Sequence, residues 1–194
     1  MQFTTTALAA SLAFTSAVAA SLLEARQNAT LKDWEVTSAG SFTPSGRPGS
    51  YPWVTITANI TDPNEINLGE AESDGKPVTV PAGSKGVNCI AKYFTKNRES
   101  PLGRTWPCDS IEGGYWTMEV LAGSLGSYSP NNFKLKFRHV ADLIYQGAQY
   151  TTSFEAEGSF EVGKNLKGTC GGSGVCSWGL PEGQRPFHIT PGKV

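Results

Sequence analysis

The chain has 194 residues, of which 17% are charged, and its 16 Lys and Arg against 17 Asp and Glu give a formal net charge of −1. A balance this close to neutral argues against nucleic acid or anionic lipid as a partner. The 22 glycines, together with many Ser, Thr and aromatic residues, favour short strands joined by tight turns.

Residues 1–20 have the composition of a secretory signal peptide. They carry no charged side chain, and the apolar run at residues 7–20 is shorter than the roughly 20 residues that a membrane-spanning helix needs. The small side chains of Val18 and Ala20 match the positions that a signal peptidase inspects. We therefore predict cleavage before Ser21 and export of the chain.

The segment after the signal peptide resembles a short pro-segment. Arg26 followed by Gln27 offers a second processing site, which would make residues 21–26 a pro-segment and leave residues 27–194 as the mature chain. That length suits one domain with a substantial core. No other apolar run approaches 18 residues, so we predict a secreted, extracellular protein without a membrane anchor.

The first third of the mature chain contains two predicted strands. Alternation of apolar and polar residues places them at residues 33–37 and 53–60, separated by a Pro-, Gly- and Ser-rich loop at residues 41–50. Turn-forming residues dominate residues 62–84, of which only residues 77–80 favour an extended backbone.

Two sequons for N-glycosylation occur in this part of the chain. Asn59 begins Asn-Ile-Thr on the polar side of its predicted strand, and Asn28 begins Asn-Ala-Thr close to the mature N-terminus. Asn59 is the stronger candidate, since it lies within the predicted domain. The sequence therefore predicts a glycoprotein.

Four cysteines in a secreted chain predict two disulfide bonds. Three pairings are open, and the spacing favours the two local pairs, Cys89 with Cys108 and Cys170 with Cys176. A metal site is not expected, because the spacing is not C-x2-C and neither histidine lies near a pair.

The second half of the chain carries the clearest strand patterns. Residues 115–120 alternate, and at residues 133–138 three apolar residues alternate with three basic ones. Residues 153–162 alternate in the same way with acidic residues, and residues 143–152, rich in Ile, Tyr and Thr, are predicted as a third strand between them. The charges are interpreted as a solvated outer face.

Further strands are predicted at residues 86–94 and 186–190. There is no internal repeat, no linker between domains and no pattern for a helix longer than a turn or two. The expected fold is all-β, a single antiparallel β-barrel or sandwich with two disulfides.

The sequence offers little catalytic chemistry. His139 and His188 fall within or beside predicted strands and are interpreted as structural. Residues 122–126 match Gly-x-Ser-x-Gly only in part, and no helix pattern follows them as a hydrolase nucleophile would need. We therefore expect no catalytic residue, no cofactor and no metal, and we predict that the protein is not an enzyme.

A glycan-directed protein is the alternative. A glycoside hydrolase of the β-jelly-roll type needs two carboxyl groups about 5–9 Å apart, which Glu119 could supply with Glu155 or Glu157. A carbohydrate-binding module would instead stack sugar rings on tryptophans, for which the candidates are Trp34, Trp53 and Trp178.

The layout of the chain resembles the Alternaria major-allergen family of small secreted fungal proteins. The resemblance lies in the opening at residues 1–5, in the Leu-Glu-Ala-Arg-Gln junction at residues 23–27, and in a cysteine pair after a long β-rich half followed by a Gly-rich pair near the end. The type member has a further cysteine near its mature N-terminus that links a dimer. Residues 27–88 contain none, so a covalent dimer is not expected.

The resemblance implies a β-barrel and an allergen-like effector or elicitor that acts outside the cell. It implies binding to host plant defence proteins, such as the thaumatin-like pathogenesis-related class, or to a small phenolic ligand. No residue of this chain matches a family motif for those contacts, so the partner-binding residues are not predicted.

Overall fold

The computed structural model describes residues 31–94 and 99–194 of the chain. The signal peptide, the pro-segment and the Asn28 sequon fall outside the described residues and stay predictions. Residues Lys32–Val194 form one compact unit.

The described residues contain thirteen strands. They are β1 (Trp34–Thr43), β2 (Trp53–Asp62), β3 (Ile66–Glu70), β4 (Pro77–Val80), β5 (Ser84–Phe94), β6 (Thr105–Pro107), β7 (Gly114–Ala122), β8 (Asn132–Tyr145), β9 (Ala148–Glu161), β10 (Lys167–Cys170), β11 (Cys176–Gly179), β12 (Phe187–Ile189) and β13 (Gly192–Lys193).

The strands form two larger antiparallel sheets and a small hairpin. The first sheet has the order β10-β11-β1-β2-β5, with β12 also paired to β1, and the second has the order β13-β9-β8-β7-β6. Strands β3 and β4 make the separate hairpin. The all-β antiparallel prediction is confirmed, and the two sheets of the described residues form a sandwich, not a closed barrel.

Aromatic side chains from both sheets fill the space between them. Trp34 of the first sheet packs edge-on against Trp116 of the second, with ring centroids 4.7 Å apart. Phe160 likewise contacts Phe187 across the sheets at 5.4 Å. Leu135 and Phe160 are fully buried, as the alternating patterns of their strands require. The predicted division into a dry and a wet face is therefore correct for β8 and β9.

Strands β8 and β9 form one long hairpin. They pair without interruption from Asn132 opposite Glu161 to Tyr145 opposite Ala148. The separate third strand predicted at residues 143–152 is wrong, because the chain reverses inside it. The reversal is a two-residue turn in which Gln146 and Gly147 have φ angles of 48° and 85°, the left-handed backbone that such tight hairpins use.

Two predicted loops contain more strand than expected. Residues 41–50 were predicted as a loop, but β1 continues to Thr43 because its last residues pair with both β2 and β11. Residues 62–84 contain β3 as well as the predicted β4. Strand β3 is short and includes a register shift between Asn67 and Gly69, so it lacks a readable alternation.

Both disulfides join the predicted cysteines. Cys89–Cys108 ties β5 to the segment between β6 and β7, with Cys89 fully buried, and Cys170–Cys176 closes the exposed β10–β11 hairpin. The local pairing is therefore confirmed.

Helical structure is minimal in the part of the chain described. It consists of a single 3-10 turn, Glu182–Gln184. Among these residues no helix has the length and apolar character needed to cross a membrane.

Candidate functional site

The outer face of the second sheet carries an open groove of about 330 Å³, which we call the sheet groove. Strands β6 to β9 contribute its walls and floor. Its lining consists of one aromatic, two hydroxyl and four charged side chains: Tyr115, Thr105, Thr117, Glu119, Lys136, Arg138 and Glu155.

The groove follows from strand periodicity and register. Alternate residues of a strand share a face, so the even-numbered basic residues of β8 point outward while Leu135 and Phe137 point into the core. The register then sets Glu119 opposite Lys136 on one side and Glu155 opposite Arg138 on the other. Opposite charges therefore meet across both strand boundaries.

Ion pairs hold these side chains in place. Lys136 Nζ lies 2.9 Å from Glu119 Oε2 and 3.9 Å from Glu155 Oε2, and Arg138 Nη1 lies 3.7 Å from Glu155 Oε1. The hydrogen bond that Lys136 donates to Glu119 raises the pKa of the lysine, against the opposing effect of partial burial. Lys136 therefore remains a cation throughout the physiological pH range.

Two of the three carboxylates proposed for a glycosidase meet in this groove. Glu119 and Glu155 both contact Lys136, so the two contacting oxygens lie no more than about 6.8 Å apart, which is below the upper limit of roughly 9 Å for glycoside hydrolases. Glu157 is exposed and does not line the groove. Both carboxylates form ion pairs, Glu119 with Lys136 and Glu155 with Lys136 and Arg138, so their positions in the groove are fixed.

A second group of polar side chains, which we call the polar cluster, lies between the sheets. His139 Nδ1 is 3.0 Å from Asp62 Oδ2, and His139 Nε2 is 3.0 Å from Ser84 Oγ. The order of contacts is that of a Ser-His-Asp triad.

The polar cluster packs against aromatic side chains of the core. The indole Nε1–H of Trp116 donates to Ser84 Oγ at 3.0 Å, and the Trp116 ring stacks on the His139 ring with centroids 4.3 Å apart. His139 and Asp62 are both almost fully buried. The hydroxyl of the half-buried Ser84 thus accepts a hydrogen bond from Trp116 as well as contacting His139. The cluster connects strands β2 and β5 of the first sheet to β7 and β8 of the second.

The remaining predicted residues are dispersed. His188 is exposed on β12, and Ser124 of the partial Gly-x-Ser-x-Gly match donates its hydroxyl to Glu161 at 3.0 Å. Trp34 is buried in the core, and Trp178 lies opposite the buried Ser41. Within the described residues the three candidate tryptophans therefore do not form one platform.

Most of the groove was not predicted from the sequence. Lys136 and Arg138 were predicted to be solvated charges, and Tyr115 was given no role beyond its strand. The groove depends on the register of β7 against β8, which places Glu119 opposite Lys136 and cannot be read from either strand alone.

Asn59 occupies a position that suits glycosylation. It lies half-exposed on β2, and its Oδ1 accepts a hydrogen bond from the Asn88 backbone N–H at 2.8 Å. That contact uses the oxygen and leaves Nδ2, the atom that receives a glycan, with no hydrogen bond to the described residues.

We expect Asn59 to carry one N-glycan when the protein is secreted by a eukaryotic host. Asn59→Gln and Thr61→Ala should each remove the mass of one glycan, apart from the change in residue mass, because the second substitution removes the sequon but keeps the asparagine. Intact-mass spectrometry before and after glycosidase treatment measures the glycan mass. A wild type whose mass differs from those of both variants only by the substituted residues would contradict the assignment.

Comparison with protein-family models, curated proteins and solved structures found no match to this chain.

Proposed function

We propose that the protein is a secreted effector- or elicitor-like protein that acts by binding an extracellular host protein, and that the sheet groove is its binding surface. The observation that supports this proposal is the groove itself. Its four charged side chains, two of each sign, are fixed against one another on paired strands. The charged side chains are therefore preorganised for binding a partner.

The composition of the groove favours a protein over a small phenolic ligand. Pockets for small apolar or aromatic ligands are lined mainly by hydrophobic side chains. Here Tyr115 is the only aromatic lining residue, and it is 50% exposed; Arg138 also lines the groove. Tyrosine and arginine, with tryptophan, are the residue types enriched among the residues that dominate binding at protein interfaces. Fixed charges of both signs add specificity for a complementary surface.

The two disulfide bonds are consistent with a protein that acts outside the cell. Disulfides persist in oxidising compartments, and this chain has two, Cys89–Cys108 and Cys170–Cys176. By the family resemblance, the partner would be a plant defence protein of the thaumatin-like pathogenesis-related class.

We expect Tyr115→Ala to weaken binding of a purified thaumatin-like pathogenesis-related protein about 30-fold, the size of a typical hot-spot loss. Calorimetric titration of the secreted protein measures the dissociation constant. The matched control is Tyr51→Ala, since Tyr51 is also 50% exposed but does not line the groove. Absence of binding by the wild type, or an equal loss in the Tyr51 variant, would contradict the proposal.

A glycan-directed function is the second candidate, because the two carboxylates Glu119 and Glu155 line the same groove on either side of Lys136, and a glycoside hydrolase needs such a pair. Sugar release from plant cell-wall polysaccharide tests it. Release by the wild type that is abolished in Glu119→Gln would favour this candidate, whereas no release from any wall fraction would reject hydrolysis.

A further inference from the structure

The outer face of the first sheet carries a row of four aromatic side chains with a lysine among them. We call this row the aromatic strip; it comprises Phe42, Tyr51, Trp53 and Phe94, with Lys92. Ring centroids are 6.2 Å apart for Phe42 and Tyr51 and 5.5 Å apart for Trp53 and Phe94. The row crosses three neighbouring strands.

Strand register accounts for the strip. Thr55 pairs with Phe42 on one side and with Lys92 on the other, and Trp53 pairs with Phe94. The intervening residue of β2, Val54, is fully buried, so the residues on either side of it face outward. At these outward positions Tyr51 is 50% exposed, and Phe42, Trp53 and Phe94 are partly exposed.

Lys92 supplies a cation above the rings. Its Nζ lies 5.1 Å from the centroid of Trp53 and 5.6 Å from that of Tyr51, within reach of a cation–π interaction. The lysine is exposed, and among the described residues no carboxylate lies within ion-pair distance of it. The charges of the sheet groove neutralise one another, whereas this one has no such partner.

We propose that the aromatic strip is a binding site for an acidic polysaccharide. A pyranose ring has apolar C–H faces that stack on aromatic side chains, and the half-exposed Tyr51 with Trp53 offers such a surface. A uronate carboxylate of the same chain would pair with Lys92, forming a charge-assisted hydrogen bond. A neutral glycan would leave the cation unpaired, and a purely apolar partner would have to bury it.

This site is independent of the proposed host-protein site, because it lies on the other sheet and shares no residue with the groove. Either binding proposal can therefore be rejected without affecting the other. A variant in one site also serves as the control for the other.

The test uses polygalacturonate as the probe, and fully methyl-esterified polygalacturonate as the uncharged probe of the same backbone. The secreted wild-type protein should be retarded in gels containing polygalacturonate and should not be retarded by the ester. Lys92→Gln, which keeps the side-chain stem, should weaken binding about tenfold, as expected for loss of one charge-assisted hydrogen bond. Tyr51→Ala should weaken it to a similar extent, and Tyr115→Ala should have no effect.

Three results would overturn the site. They are no retardation of the wild type, equal retardation by the charged and esterified polymers, or unchanged binding in both Lys92→Gln and Tyr51→Ala. Circular dichroism of each variant verifies that the fold is retained, and Tyr51 precedes β2, so its truncation should not disturb the sheet.

Discussion

Replacing Asp62 with alanine is expected to lower the free energy of unfolding by about 3–5 kcal/mol. Asp62 is 1% exposed and accepts hydrogen bonds from the backbone N–H and the side-chain Nδ2 of Asn64, both at 2.8 Å. Its other oxygen contacts Nδ1 of the buried His139. Alanine would leave these groups without their acceptor in the core, where water cannot replace it.

The substitution should also loosen the contact between the sheets, since His139 belongs to β8 and Asp62 to β2. Chemical denaturation of the disulfide-intact protein measures the loss. Asp62→Asn is the informative companion, because its carbonyl can still accept from Asn64 while its amide can donate to His139 Nδ1. We expect this variant to lose about 1 kcal/mol and to shift the imidazole proton to Nε2, toward Ser84.

Asp33→Ala is the matched control for Asp62→Ala. Asp33 is exposed immediately before β1, so its removal should change stability by less than about 0.5 kcal/mol. If Asp62→Ala lowers the free energy of unfolding by as little as Asp33→Ala does, the polar cluster does not stabilise the core.

The two disulfides are expected to contribute unequally. Cys89→Ala/Cys108→Ala opens a loop with a sequence separation of 19 and should cost about 3.3 kcal/mol on the chain-entropy model. Cys170→Ala/Cys176→Ala opens a loop with a separation of 6 and should cost about 2.4 kcal/mol on the same model. Thermal unfolding of the two double variants against wild type measures the difference.

Burial of Cys89 should make the difference in stability between the two double variants larger than loop length alone predicts. Cys89 is fully buried on β5, so its replacement also removes packing, whereas the β10–β11 hairpin is largely exposed at the edge of its sheet. Each double variant is the control for the other, because both remove one cross-link. A larger loss in the Cys170/Cys176 variant would contradict this account.

Strands were predicted correctly where the sequence pattern within a single strand was sufficient to identify them. Residues 133–138 revealed β8 because three apolar side chains alternate with three basic ones, and no tertiary contact is needed to interpret that pattern. The turn at Gln146 was missed because Ile, Tyr and Thr on both sides make the segment uniformly strand-like. Only a single glycine marked the reversal.

The sites were harder to predict because they depend on pairings between distant segments. Asp62, Ser84 and His139 each look ordinary in their own strands and meet only when the sheets stack. The sheet groove similarly requires β7 to align with β8. Glu119 was considered with either Glu155 or Glu157 as a carboxyl pair on chemistry alone, and the lysine between Glu119 and Glu155 was not foreseen.

Hydroxyl-radical footprinting of the complex with a thaumatin-like pathogenesis-related protein tests the proposed binding surface most directly. Tyr115 and Tyr51 are both 50% exposed, so they should be oxidised to comparable extents in the unbound protein. If the sheet groove is the interface, the partner should suppress oxidation of Tyr115 and leave that of Tyr51 unchanged. Unchanged oxidation of Tyr115 in a saturated complex would contradict the account.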